Sequence, residues 1–153
     1  MSGLAYGVDT CAHIAALKNN LLTAAVLAHG FQTIYPQINA SLARKMIDNG
    51  GCLITEHISG TEPDRENFPK RNRIMSGLSD GILVIEARKK SGTLITARYA
   101  KQQGKSIFCI PKSFLMYYSV LMFLMLCHYA FLLYQKNLIC TSGLVRKKTE
   151  APY

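Results

Sequence analysis

The sequence predicts an α/β fold, a parallel sheet with helices on both faces, and three observations carry that expectation. Short apolar runs suited to buried strands recur at 23–28, 52–56, 81–86 and 106–110, and helical stretches lie between them. Parallel strands need crossover connections, and right-handed crossovers lay their helices on the faces of the sheet. Glycine or proline falls where one pattern gives way to the next, at Gly30, Pro36, Gly50, Gly51 and Gly104. With 153 residues, 49% of them hydrophobic and 18% charged, the chain can bury one core.

The elements follow in order. A helix is expected over 8–19, where Asp9 or Thr10 can accept hydrogen bonds from the first free amides and an alanine-rich face suits close packing. The apolar run 23–28 stops at Gly30 and yields to the turn-like Tyr35-Pro36, as a buried parallel strand does before a functional loop. Asn39 caps the next helix, which Gly50 or Gly51 ends. A strand at 52–56 leads into HISGTEPDRENFP, too rich in glycine, proline and charge for a regular element. A short helix over 71–78 precedes the strand GILVIE at 81–86. Ser91, Gly92 and Thr93 open a helix that runs through Gln103 to Gly104, and 106–110 forms the last strand.

Composition divides the chain near Pro111, into 1–111 and a divergent tail at 112–153. Thirteen basic and eight acidic residues precede Lys112, and five basic and one acidic residue make up the rest. The stretch 114–134, FLMYYSVLMFLMLCHYAFLLY, holds no Asp, Glu, Lys or Arg. At about 1.5 Å per residue a helix of that length would cross a bilayer core of roughly 30 Å. Lys112 and Lys136 would flank it; a membrane-associated helix and a disordered or aggregating tail are the alternatives.

The formal charge of +9 favours a polyanionic partner, either nucleic acid or an acidic membrane surface. Five cysteines without a Cys-x-x-Cys pair suggest neither a disulfide framework nor a zinc site, and point to a reducing compartment. No basic leader with a short apolar core opens the chain, which argues against a secretory signal. His13 reads as a packed histidine with no second ligand at metal-binding spacing. Glu56 and Glu86 end neighbouring strands without a spacing that speaks for acid and base work. Nucleophile-elbow, phosphate-loop and dinucleotide fingerprints are missing, so the expectation is no catalytic residue, no metal and no cofactor.

In an open parallel sheet, ligands bind at the carboxyl ends of the strands, where 28–36, the segment before Arg71 and 87–93 would converge. Ser91-Gly92-Thr93 at a helix start offers amides, hydroxyls and the positive end of the helix to a phosphate, though it is equally ordinary capping chemistry. In FPKRNRIMSGLSD, Lys70, Arg71 and Arg73 crowd the expected mouth of a helix. Cations there oppose the helix dipole and call for an anion, or for Glu62, Asp64 or Glu66 folded back onto them. Lys89 and Lys90 add charge beside Ser91, while Arg88, Arg98, Lys101 and Lys105 read as a solvated face.

Taken together, SGLAYGVDTCAH, AVLAHGFQTIYP, ENFPKRNRIMSGLSDGILVIEA, SGTLITARYA and IFCIP resemble successive blocks of the DNA-processing protein A (DprA/Smf) family over about residues 2–111. The resemblance implies an extended Rossmann fold that binds single-stranded DNA through a basic pocket, dimerises, and loads the RecA recombinase onto incoming strands in natural transformation, in the cytoplasm. It implies phosphate contacts by Lys70, Arg71, Asn72 and Arg73, by Ser91, Gly92 and Thr93, and by the loop from Gly30 through Tyr35, with Phe68 or Tyr35 as base-stacking surfaces. Some members place lysine where this chain has Gln37, which weakens one expected contact. Family members also begin this domain with a strand and a Gly-Ser-Arg loop ahead of the block that here follows Met1. The expectation is therefore a truncated or reading-frame-disrupted product, impaired or without function. A second resemblance, to nucleoside monophosphate phosphoribohydrolases, implies a nucleotide-processing enzyme, but Thr96 stands where their catalytic glutamate would be.

Overall fold

The computed structural model describes residues 1–87 and 91–110, and the backbone of two further strands at 138–141 and 144–147. Its elements in chain order are α1 (Val8–Lys18), β1 (Ala24–Val26), a 3-10 turn (Gln37–Asn39), α2 (Ala40–Asp48), β2 (Cys52–Ile54), α3 (Asn67–Gly77), β3 (Gly81–Val84), α4 (Gly92–Gln102) and β4 (Ser106–Cys109). Strands β5 (Leu138–Thr141) and β6 (Leu144–Lys147) pair antiparallel. The apolar stretch 114–134, with Lys112 and Lys136, and Arg88, Lys89 and Lys90 lie outside the described residues. Among the described residues no helix is long and apolar enough to cross a membrane.

Each expected helix and strand of the first 110 residues is present, and the pairing is parallel. Ala24 stands opposite Cys52 and Val26 opposite Ile54 in one pair. Gly81 stands opposite Ser106 and Val84 opposite Cys109 in the other. Ser2 adds a parallel bridge to Ala25, its amide donating to the Ala24 carbonyl at 3.1 Å and its carbonyl accepting from the Val26 amide at 2.9 Å. Among the described residues no strand joins β1–β2 to β3–β4, so the expected single sheet is present as two parallel pairs.

The pairs differ in how they are covered. Successive strand residues face opposite sides of a sheet, and Ala25, Val26 and Leu27 are all buried, so both faces of β1 are shielded. Leu4, Ala25, Leu27, Leu42, Ala43 and Met46 form the core, with Leu17, Ile34 and Leu53 packed against it. On β3–β4, by contrast, Leu83 and Ile107 are exposed.

Three expected caps do other work. The Asp9 carboxylate accepts from the amides of Gly3 and Ala5 at 2.9 and 3.2 Å, so it holds the preceding loop rather than its own helix. Thr10 donates to the Ala5 carbonyl at 2.8 Å. Asn39 does stand just before α2, but its amide donates to the Leu4 carbonyl at 2.8 Å and to the Thr10 hydroxyl at 3.0 Å, tying α2 to α1. Helix α3 starts at Asn67, four residues ahead of the expected Arg71, because Pro69 falls in its first turn. Amides of a first turn have no intrahelical partner, so a residue without an N–H is tolerated there.

Candidate nucleic-acid interface

The loop after β1 is fixed by close backbone contact. The Gly30 amide donates to the Thr61 carbonyl at 2.9 Å, and a Cβ at Gly30 would lie 2.3 Å from the Ile58 carbonyl oxygen. Gly30 is therefore demanded by the approach of the 58–61 loop, and it is buried. The neighbouring His29 is buried as well; its Nδ1 lies 2.8 Å from the Gly30 carbonyl and its Nε2 is 3.3 Å from the Tyr35 amide. A carbonyl only accepts and an amide only donates, so the ring carries its proton on Nδ1 and accepts through Nε2. Thr55 completes the clamp by donating to the His29 carbonyl at 2.7 Å.

Held in this way, the loop presents Tyr35, about half exposed, ahead of a cis bond to the buried Pro36. The Tyr35 ring packs against Phe68 in the first turn of α3, with centroids 5.7 Å apart and planes at 57°. Gln37 follows, exposed, at the start of the 3-10 turn. Both rings named as stacking surfaces are thus side by side.

The earlier start of α3 changes the fate of its cations. Arg71 lies in the body of the helix and is buried; its Nη1 donates to the Gly3 carbonyl at 2.9 Å and to the Val26 carbonyl. The guanidinium rests on Gly3, where a Cβ would lie 2.3 Å from Nη1. Burial pulls the Arg71 pKa below its ordinary value, and the Asp9 carboxylate opposes that shift. The expectation that Arg71 stands at a helix mouth is corrected here: desolvated and bonded to two carbonyls, it joins α3 to β1 and to the strand-like start of the chain. Lys70 and Arg73 are the exposed cations. Lys70 pairs loosely with Glu66 at 3.7 Å, one of the three carboxylates named for such a role, and Arg73 pairs with Glu56 beyond β2.

Asn72 is buried and links α3 to the third loop, its amide donating to the Gly92 carbonyl at 3.3 Å. Ser91 takes an extended conformation before α4 and makes no side-chain cap; its carbonyl accepts from the Leu94 amide at 3.1 Å. The capping alternative for its hydroxyl is therefore not realised, and that oxygen is buried without a partner. Gly92 is exposed, with open space around its Cα, and Thr93 is half-buried, so the start of α4 is accessible at Gly92. Thr96 donates within the helix to the Gly92 carbonyl at 3.3 Å. Gln103 at the far end of α4 donates to the Arg73 carbonyl at 3.0 Å, so α3 and α4 are joined at two points. No cluster of three or more His, Cys, Asp or Glu suited to a metal occurs among the described residues.

Sequence reasoning missed His29, Thr55 and Gly3. The first two had a signal, a histidine between an apolar run and a glycine, followed by a threonine at the end of the next strand. Gly3 had none, because its role depends on a side chain 68 positions later.

Against known proteins, the family model described as DNA recombination-mediator protein A matches residues 1–140. Protein Smf of Escherichia coli is 49% identical over 110 residues, which cover 72% of this chain and 29% of that protein. DNA processing protein DprA of Bacillus subtilis is 46% identical over 113 residues, 74% of this chain and 38% of that one. Among solved structures, DNA processing protein A from Streptococcus pneumoniae superposes with a TM-score of 0.65 at 39% identity, over 86% of this chain and 44% of that one. DNA processing protein A from Helicobacter pylori, described for its single-stranded DNA binding mode, gives 0.66 at 32% identity, over 72% of this chain and 50% of that one. The chain spans well under half the length of these curated relatives.

Proposed function

The chain belongs to the DNA recombination-mediator protein A family, and on that premise we propose that it binds single-stranded DNA without catalysing a reaction on it. The observation that carries this reading is the convergence on α3 of exposed cations, Lys70 and Arg73, a paired aromatic surface, Tyr35 with Phe68, and a bond from Asn72 to the accessible start of α4. Cations and helix-start amides take phosphates, and rings take bases, without choosing a sequence. Gln37, Ser91, Gly92 and Thr93 border the same path, and Gly30 shapes it. Arg71 supports the path from beneath.

The reading extends, by family, to protection of incoming strands and RecA loading in natural transformation, to homodimerisation, and to work in the cytoplasm. Fluorescence anisotropy with a labelled oligothymidine tests its root. Affinity should fall steeply with salt, and Lys70→Ala and Arg73→Ala should each flatten the logarithmic salt slope by about 0.7, one phosphate contact apiece on a single strand. Phe68→Ala should weaken binding by about 1–3 kcal/mol with the slope unchanged. Binding by the folded chain that is absent, or indifferent to salt, would sink the proposal.

A further inference from the structure

Away from these loops, α1 and α2 enclose a groove of about 400 Å³ lined by Thr10, Ile14, Leu17, Ile38, Leu42 and Lys45, with Lys18 at its edge. We infer that this groove docks an apolar and acidic segment of a partner protein, a site separate from the surface proposed for DNA.

Its construction argues for an occupant. On α1, Thr10, Ile14, Leu17 and Lys18 follow the spacing of one helix face; Ile38, Leu42 and Lys45 repeat that spacing across the 3-10 turn and α2. Ile38 is 74% exposed and Ile14 39%, an aliphatic pair facing solvent across a cleft. The cleft is held open and in register at one end, where Asn39 bonds the Leu4 carbonyl and the Thr10 hydroxyl and leaves its own helix uncapped. At the other end stand Lys18 and Lys45, exposed and outside every ion pair among the described residues.

Both lysines lie in the last turn of their helices, where cations offset the helix dipole, which accounts for their position. It does not account for exposed isoleucines beside them. Charge selects the occupant. A second copy seated by the same groove would bring Lys18 and Lys45 against their own counterparts, cation against cation. A nucleic acid has no aliphatic group to seat between Ile14 and Ile38. A helix with two apolar side chains a turn apart and carboxylates one turn further on would fill the cleft and reach both ammonium groups.

A phage-displayed library of random dodecapeptides, selected on the full chain, tests this with the oligothymidine assay alongside. Enriched peptides should share an apolar pair at three or four residues' spacing with Asp or Glu beyond it. For the best of them, Ile38→Asp should weaken binding at least about tenfold. Lys18→Glu with Lys45→Glu should lose that peptide and gain its Glu→Lys counterpart. All variants lie on the surface and should keep their affinity for oligothymidine if the chain binds it, and their far-ultraviolet circular dichroism in any case. Three results would overturn the inference: no enrichment above that on Ile38→Asp, equal binding of the charge-swapped peptide by the unaltered chain, or a concentration-dependent dimer that Ile38→Asp abolishes.

Discussion

Two regions of this molecule, the part up to β2 and the part from α3 to β4, are built from the same parallel-strand and helix units but keep their apolar surface differently. Leu4, Val26, Leu27 and Met46 in the first are all but inaccessible, whereas in the second only Ala100 among the hydrophobic residues is fully enclosed. The second region instead carries Lys70, Arg73 and the accessible start of α4. Stability and charge presentation are thus divided between neighbours, and α3 connects them through Arg71 on one side and Asn72 on the other.

Core truncation gives the widest test of that division. Met46→Ala or Leu27→Ala should cost about 2–5 kcal/mol in urea denaturation, through lost burial and the cavity left behind. Leu83→Ala, on a half-exposed strand position, should cost under about 1 kcal/mol. Equal losses would erase the contrast.

Acid should next affect the first region selectively. His13 is buried against Thr23, with Nδ1 2.7 Å from the hydroxyl and Nε2 unpartnered. Burial chiefly, then the N-terminal ammonium, push its pKa down from 6.5 to about 4, against the pull of Asp9. The unfolded chain takes up this proton first, so the stability conferred by neutral His13 is complete above pH 6.5 and is lost as pH falls towards 4. The loss should approach about 3 kcal/mol. Hydrogen exchange should show it in α1 and β1, and His13→Gln should flatten the difference between pH 7 and pH 4; an unchanged difference would mean the histidine is not held neutral.

The smallest effects separate two arginines two residues apart. Arg71→Met leaves the Gly3 and Val26 carbonyls without their donor and should cost about 1–3 kcal/mol of stability. Arg73→Ala removes an exposed ion pair and should cost under about 1 kcal/mol. A reversed order would move Arg71 back to the surface.

Much of this was legible in the sequence, and the failures have physical causes. GILVIE reads as a strand because a short β-branched and apolar run between turns has few other uses, and β3 is there. The alternation of strands with helices implies parallel pairing, and both pairs are parallel. Arg71 was misplaced because a charged side chain reads as solvated and Pro69 reads as a barrier, while burial of a guanidinium depends on distant carbonyls and on the bare Cα of Gly3. Asp9 and Asn39 read as caps because such side chains at helix starts usually bond the first amides of their own helix; here Asp9 holds the loop before α1 and Asn39 reaches across to the Leu4 carbonyl. The interruption between β1–β2 and β3–β4 leaves no local trace, since each strand looks the same whether or not it has a second neighbour.

The pairing of Arg73 with Glu56 reaches beyond stability. A phosphate drawn to Arg73 as proposed would meet a guanidinium already shared with a carboxylate the chain itself supplies, so the two anions would compete for it. The molecule carries its own competitor, and the gain on binding is the difference between two attractions. On the proposed reading Glu56 would act as a threshold: an isolated weak anion would leave Arg73 where it is, while a strand bringing several phosphates at once would overcome one tethered rival.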